Sequence, residues 1–203
     1  SEMTVDFDFP EELINQSYAF MDIWGRSRTD IYATDTRYGL FHYNGRAWSP
    51  IDDFPAYREV RFHPSNVWAS DDNNVFIAAN GSHILHLRGT EQVGHHDLSW
   101  ARHITDIWRR SSSEVYVIDL NGTMGHFDGE EWRQMETPTD EWMHQIVGAG
   151  ERGFVVTATN GQVLRHDGDR WLDVETIPLD RSPGGARGVW ASNLNNVFIS
   201  GGG

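Results

Sequence analysis

Apolar residues in this chain fall in short runs, not at helical spacing. Five of them, "IYATD" from Ile31, "VFIAA" from Val75, "VYVID" from Val115, "FVVTA" from Phe154 and "VFISG" from Val197, are rich in β-branched and aromatic residues. Polar clusters such as "DDNN" and "SSSE" precede them. Runs of this length and composition between turn signals predict strands. Each begins seven residues after an anchor position, held by Trp24, Trp68, Trp108, Val147 and Trp190, and successive anchors are 44, 40, 39 and 43 residues apart. A recurrence of about forty residues is the length of one propeller blade.

Two turn signals keep the same register. Asn80-Gly81, Asn121-Gly122 and Asn160-Gly161 follow the second strand of their units. Asn-Gly is the favoured two-residue hairpin turn because both positions tolerate positive φ. Twenty residues after each anchor stand Asn44-Gly45, Arg88-Gly89, Asp128-Gly129 and Asp167-Gly168, and four residues later come Trp48, Trp132 and Trp171, with Gln92 as the exception. Between the two turns lies a third short strand, "LFHY", "ILHL", "MGHF" or "VLRH". The stretch "HFDGEEW" at 126–132 looks like acid/base chemistry in isolation, but its counterparts "HYNGRAW" and "RHDGDRW" keep only the turn and the tryptophan.

Each unit therefore reads as four antiparallel strands that cannot bury their own faces, and such units stack into a β-propeller. The expected fold is all-β: one propeller domain over 1–203 with repeats at about 20–61, 62–103, 104–142, 143–185 and 186–203. "VWASDDNNVFIAANGSHILHL" and "DIWRRSSSEVYVIDLNGTMGHFDGEEW" resemble the tryptophan and Asp-Gly repeats of bacterial β-propeller proteins, distant relatives of the photosystem assembly factor and Asp-box propellers. The resemblance spans residues 20–203 and implies a scaffold or binding role. Neither a WD dipeptide nor a double glycine recurring from unit to unit, as in Kelch propellers, nor the true Asp-box spacing is present.

Of five blades the last is incomplete, with two strands before the sequence reaches Gly203. The alternating segment "TVDFDFP", with Val5, Phe7 and Phe9 on one face, is the expected fourth strand of that blade, closing it in a Velcro-like manner. The third strand is left to a longer chain, to a short closing blade or to a partner strand.

Composition narrows the function. Thirty acidic against sixteen basic residues, all of them arginine, give a net charge of -14, which repels nucleic acid and anionic membranes and suits a basic protein partner. With no cysteine there is no disulfide or thiolate site. The N-terminal residues lack the pattern of a secretory signal, so a cytoplasmic chain is expected, with a secreted parent left open.

Candidate chemistry is sparse. His42, His86 and His126 share one third-strand position, with Arg165 taking it in the fourth unit, and repetition marks them as structural. "VGHHDLSWARH" offers His95, His96, Asp97 and His103, and reads as a solvated loop, not as a zinc site. Asp22, Asn66, Asp106, Gln145 and Gly188 stand two residues before the anchors. A glycoside hydrolase would need two of those carboxylates facing each other about 5–10 Å apart; otherwise they bond adjoining turns. No catalytic residue, metal or cofactor is expected.

Length varies in one place only. From anchor to outer tryptophan position each unit has 24 residues, whereas from there to the next anchor the counts are 20, 16, 15 and 19. Those outer-to-inner connections emerge on one face, and variable loops on a fixed scaffold carry binding residues. They hold Phe54, Tyr57, Arg58, Arg61, Trp100, Arg102, Trp142 and Arg187, aromatic and arginine types that dominate interface energetics. Trp142 and Phe62 also stand where an inner strand begins and a core position would serve them. The expected function is a non-catalytic protein-binding scaffold, able to neutralise a basic partner. The alternative is a lectin-like propeller, which would repeat an aromatic and polar set in every connection.

Overall fold

The computed structural model describes residues 20–35, 39–51, 64–69, 74–79, 81–111, 113–172, 174–177 and 186–201. In chain order the strands are β1 (Phe20–Ser27), β2 (Asp30–Asp35), β3 (Leu40–Tyr43), β4 (Trp48–Pro50), β5 (Pro64–Ala69), β6 (Asn74–Ala79), β7 (His83–Arg88), β8 (Glu91–Asp97), β9 (Ile104–Ser111), β10 (Glu114–Asp119), β11 (Met124–Phe127), β12 (Trp132–Met135), β13 (Met143–Ala149), β14 (Gly153–Ala158), β15 (Gln162–His166), β16 (Glu175–Thr176), β17 (Ala186–Asn193) and β18 (Asn196–Gly201). The one helical element described is the short 3-10 turn Thr159–Gly161.

Neighbouring strands form four-stranded sheets β1–β4, β5–β8, β9–β12 and β13–β16, and the two-stranded sheet β17–β18. These are the blades that the repeat predicts, with Trp24 opposite Tyr32 and Trp108 opposite Tyr116 in antiparallel register. The chain divides into two compact units, residues 1–80 with 84–96, and 81–83 with 97–203. The N-terminal segment with Val5, Phe7 and Phe9 lies outside the described residues, and with it the expected closure.

Within each unit the core follows one rule. Side chains alternate between the two faces of a strand, and the face holding the residue eight after the anchor meets the opposite face of the following blade. In the first unit Tyr32 and Leu40 pack with Val75, Ile77, Ala79, Leu85 and Leu87. In the second, Tyr116, Ile118 and Met124 pack with Phe154, Val156, Ala158 and Leu164, and then Val155 and Val163 pack with Val189, Val197 and Ile199. Burying one such side chain contributes roughly 1.5–3 kcal/mol, against a net of about 1 kcal/mol for a hydrogen bond. Interleaved faces therefore hold the blades, while hydrogen bonds set their register.

The anchors sit at these seams. Trp24 and Trp68 have ring centroids 5.0 Å apart. Trp108 lies over Gly148, where an added Cβ would come 2.7 Å from the ring, so the residue after Val147 has to be glycine. The positions two before the anchors form a second seam, and their role differs from the expected bond to a turn. Asp22 Oδ2 accepts the Val67 N–H at 2.9 Å, Asp106 Oδ2 accepts the Ile146 N–H at 3.0 Å, and Gln145 Oε1 accepts the Val189 N–H at 2.8 Å. In each case the donor stands one residue before the next blade's anchor. The other oxygens of Asp22 and Asp106 accept the Ile23 and Ile107 N–H groups.

The outer turns repeat as the sequence predicts. Asn44, Asp128 and Asp167 each accept two backbone N–H groups through Oδ1, from Arg46 and Ala47, from Glu130 and Glu131, and from Asp169 and Arg170. Gly45, Gly129 and Gly168 adopt φ of 88°, 99° and 104°, a region that favours glycine. Glu130 and Glu131 are exposed, so "HFDGEEW" is a turn whose acids face solvent.

The Asn-Gly turns divide. Asn160 and Gly161 both have positive φ, 60° and 73°, as a type I′ turn requires. Asn121 does not join Gly122 in that region, because Asp119 takes over the turn. Its Oδ1 accepts the N–H groups of Asn121 and Thr123 at 2.7 and 2.8 Å.

Asp106→Ala removes an acceptor for two backbone N–H groups and is expected to cost about 2 kcal/mol in urea unfolding. Asp106→Asn, which resembles the Gln145 arrangement, is expected to cost less than half of that. Equal stability of all three proteins contradicts the seam assignment. Acid adds a second expectation. Burial lowers the pKa of His126 and His166 from the usual 6.5, with Glu114, Asp128, Asp167 and Asp169 opposing the shift and Arg110 and Arg133 reinforcing it. The unfolded chain then binds more protons in that window, so stability is complete above pH 6.5 and falls as the pH drops below it. Thermal midpoints at pH 7.5 and 5.5 check this, and His166→Phe is expected to flatten the dependence.

Candidate functional site

The connections between outer and inner strands lie across the hairpin turns that join second and third strands. Residues 98–103, between β8 and β9, are fastened on both sides. The Leu98 N–H reaches the Ser82 carbonyl at 2.9 Å and the Ile104 N–H the Gly81 carbonyl at 2.8 Å. On the other side the Leu120 N–H reaches the His103 carbonyl at 3.1 Å, and Asp119 Oδ2 accepts the Arg102 N–H at 2.9 Å. Asp119 is thus buried with its carboxylate satisfied by three backbone N–H groups.

Residues 136–142, between β12 and β13, repeat this arrangement one blade later. The Thr159 N–H reaches the Trp142 carbonyl at 2.8 Å, the counterpart of Leu120 and His103. Glu141 accepts the Thr159 hydroxyl at 2.6 Å and the Asn160 side-chain amide at 2.8 Å. Thr137 donates to the Gly122 carbonyl at 2.6 Å and Thr139 to Gln162 Oε1 at 2.7 Å. Both connections are thereby fastened at their ends, the first through backbone groups and Asp119, the second also through the side chains of Thr137, Thr139 and Glu141.

Of the residues expected to form the binding face, Phe54, Tyr57, Arg58 and Arg61 lie outside the described residues, as does the Arg187 side chain, whose backbone lies in β17. Trp100 is half-buried and rests on β11, where a Cβ on Gly125 would run into its ring. Arg102 is exposed. Trp142 is 56% exposed although Met143 beside it is fully buried, so its side chain serves the surface and not the core.

A cleft of about 600 Å³ opens beside the 136–142 connection, lined by Asn121, Thr123, Gln134, Glu136, Thr139 and Asp140 among others. Glu136 and Asp140 are exposed. These groups were not singled out from the sequence, because carboxylates are frequent throughout so acidic a chain. The signal available was their concentration in "ETPTDEW", next to an aromatic residue in a variable connection.

The remaining candidates have structural partners. Phe76 stacks on His86 and Tyr116 on His126 with ring centroids 4.3 and 4.6 Å apart, and Tyr32 meets His42 at 4.6 Å with the rings tilted by 30°. His42 bonds Asp30 at 2.7 Å and His86 bonds Asn74 at 2.8 Å. Glu114, at the matching position, is held by Arg110, and His126 Nε2 is buried without a hydrogen-bond partner. In the fourth blade Arg165 occupies the histidine register and reaches Glu175 at 2.8 Å, while His166, one residue on, stacks on Phe154 at 4.6 Å. His166 accepts the Gly168 N–H through Nδ1 at 3.0 Å.

His95, His96 and Asp97 form part of β8, not a solvated loop, since the strand runs on to Asp97. Asp97 accepts the Ser82 hydroxyl at 2.7 Å, and burial lowers the His96 pKa, with His95 adding to the effect. Among the described residues no three of His, Asp and Glu converge as a metal-ligand set. Asp22 and Asp106 spend both oxygens on backbone N–H groups. Burial pushes the Asp22 carboxyl up, against the pull of its bonds to Val67 and Ile23.

No family model matches the chain, and no curated protein matches it by sequence. Solved structures do match in fold. YCF48 bound to D1 peptide superposes with a TM-score of 0.67 at 16% identity, covering 92% of this chain and 61% of that one. BBS1N in complex with ARL6DN gives 0.64 at 13% identity over 91% of this chain and 63% of that one. The WD40 β-propeller domain of Doa1 gives 0.59 at 8% identity over 75% and 53%. The fold is thus a β-propeller of about five blades, and the chain spans less than two thirds of the length of each of these structures.

The two tryptophans should separate in stability. Trp100→Ala leaves a void over Gly125 and is expected to cost about 2 kcal/mol. Trp142→Ala, at an exposed position, is expected to stay within about 0.5 kcal/mol of the parent. Chemical denaturation of the two variants checks this, and the reverse ranking contradicts the placement of both rings.

Proposed function

We propose that this propeller is a non-catalytic protein-binding scaffold, and that it receives a basic partner on the face built from its outer-to-inner connections. The observation that carries this reading is Trp142, a large aromatic side chain 56% exposed, whose carbonyl is held by the Thr159 N–H, in the same connection as the exposed Glu136 and Asp140. A rigid exposed aromatic ring is the kind of anchor on which binding energy concentrates. The exposed carboxylates of the same connection steer a cationic surface, an effect that the net charge of -14 reinforces at long range.

Two of the structural neighbours, YCF48 with D1 peptide and BBS1N with ARL6DN, are propellers holding a peptide or protein partner, which supports the general role. The engagement of both inner-strand aspartates in backbone bonding favours binding over glycoside hydrolysis. The connections vary in length and residue type and repeat no aromatic-polar set, so a lectin-like reading has no observation in its favour.

The test begins with capture of protein partners on the immobilised chain, followed by titration of the purified pair. A Trp142→Ala, Glu136→Gln, Asp140→Asn triple variant is expected to weaken binding at least tenfold or so, and raising the salt concentration is expected to weaken the parent complex. Full affinity of the variant overturns the assignment of the face. Affinity that does not change with salt overturns the basic character of the partner.

A further inference from the structure

Four Asn-Gly pairs stand in the sequence, Asn44-Gly45, Asn80-Gly81, Asn121-Gly122 and Asn160-Gly161. Asparagine before glycine carries a chemistry of its own. The backbone nitrogen of the following residue can attack the side-chain amide carbon, and on glycine no Cβ shields that nitrogen. Attack from the next residue is intramolecular, so orientation governs its rate. Asn80 lies outside the described residues, and the other three asparagines are all exposed, so exposure does not separate them.

Hydrogen bonds do separate them. Asn44 Oδ1 accepts the N–H groups of Arg46 and Ala47 at 3.0 and 3.1 Å, which holds its amide on the residues beyond Gly45. Asn160 Nδ2 donates to Glu141 at 2.8 Å, and its φ of 60° is left-handed. Each of these side chains has to give up its bonds before a ring can close on the next nitrogen. The Asn121 side chain makes no hydrogen bond among the described residues; its backbone N–H alone is held, by Asp119 at 2.7 Å.

The residue beside it is fixed as glycine. The Gly122 carbonyl accepts the Thr137 hydroxyl at 2.6 Å. Its φ is 71°, and a Cβ added there would come 2.7 Å from the Asp140 Cα. Asn121 and Gly122 line the cleft of about 600 Å³ that Glu136 and Asp140 also line, so the water that the reaction consumes has access to the pair.

We propose that Asn121 is a site of spontaneous covalent modification, deamidation through a succinimide. The Gly122 nitrogen loses its proton to hydroxide and bonds to the Asn121 amide carbon. The bond from that carbon to Nδ2 breaks, and Nδ2 takes a proton from water and leaves as ammonia. One water then opens the five-membered ring. Opening at the side-chain carbonyl leaves aspartate, and opening at the backbone carbonyl leaves isoaspartate, with the chain rerouted through the side chain. The net change converts an amide and one water into a carboxylic acid and ammonia, with nothing oxidised or reduced. The product puts a carboxylate on the cleft lining shared with Glu136 and Asp140. Its effect on a cationic partner rests on the binding face proposed above, whereas the reaction itself does not.

The whole chain is incubated in mildly alkaline buffer, folded in one arm and unfolded in urea in the other. Digests taken at intervals are mapped by mass spectrometry, and isoaspartate is scored with an isoaspartyl methyltransferase. In the folded chain Asn121 is expected to convert at least about fivefold faster than Asn44 and Asn160, the margin that one hydrogen bond supplies. In urea the three sites, all Asn-Gly, are expected to agree within about twofold, because the bonds that distinguish them are gone. Incubation in heavy-oxygen water is expected to leave the label in the new carboxyl group. Asn121→Gln, at an exposed side chain without bonds, is expected to fold as the parent does and to lose most of the isoaspartate. Three results overturn the proposal. One is conversion at Asn121 no faster than at Asn44 and Asn160 in the folded chain. Another is the same ranking in urea, which assigns the difference to sequence and not to the turn. The third is isoaspartate undiminished in Asn121→Gln.

Discussion

The scaffold depends on one short contact repeated along the chain: a side-chain oxygen two residues before an anchor accepting the N–H one residue before the next anchor. Asp22, Asp106 and Gln145 each make it. An inner strand lies between neighbouring blades and cannot satisfy all its backbone groups within its own sheet, and a buried N–H left alone costs roughly 1–3 kcal/mol. The contact removes that penalty and locks the register of adjacent blades. With register fixed, Tyr32 or Tyr116 meets the complementary face of the blade that follows, and Trp108 lands on Gly148. Burial provides most of the free energy, and the directional bond decides which residues are buried together.

A seam of this kind separates constant from variable positions. Everything between an anchor and its outer tryptophan position serves the seam, the strands or the turns. The connections share a fixed end, where the Leu120 and Thr159 N–H groups reach the carbonyls of His103 and Trp142. His103 and Trp142 thus stand at matching positions with their carbonyls bonded alike.

Most of the scaffold was legible from the sequence because its signals are local. Asn44, Asp128 and Asp167 hold turns with N–H groups two and three residues on, so their spacing alone reveals them. Positions whose role depends on another blade were harder. Asp22 and Asp106 were recognisable as a set, but their acceptors' partners lie 45 and 40 residues away and follow only from how blades meet. Asn121 failed to behave like Asn160 because Asp119, itself tied to the Arg102 N–H, captured the turn. His95 and His96 resembled a loop by composition and lie in a strand that runs on to Asp97. At the candidate site the exposed Trp142 and the glycine-packed Trp100 are the same residue type in equivalent connections, and only the neighbour beneath each ring tells them apart.

Amide hydrogen exchange of the free chain tests the seam most directly. If these contacts set the register of the blades, the N–H groups of Val67, Ile146 and Val189 exchange among the slowest in the protein, by opening of the whole unit, while the edge strand β12 exchanges by local fraying. Exchange of those three groups as fast as that of Trp132–Met135 would contradict the account.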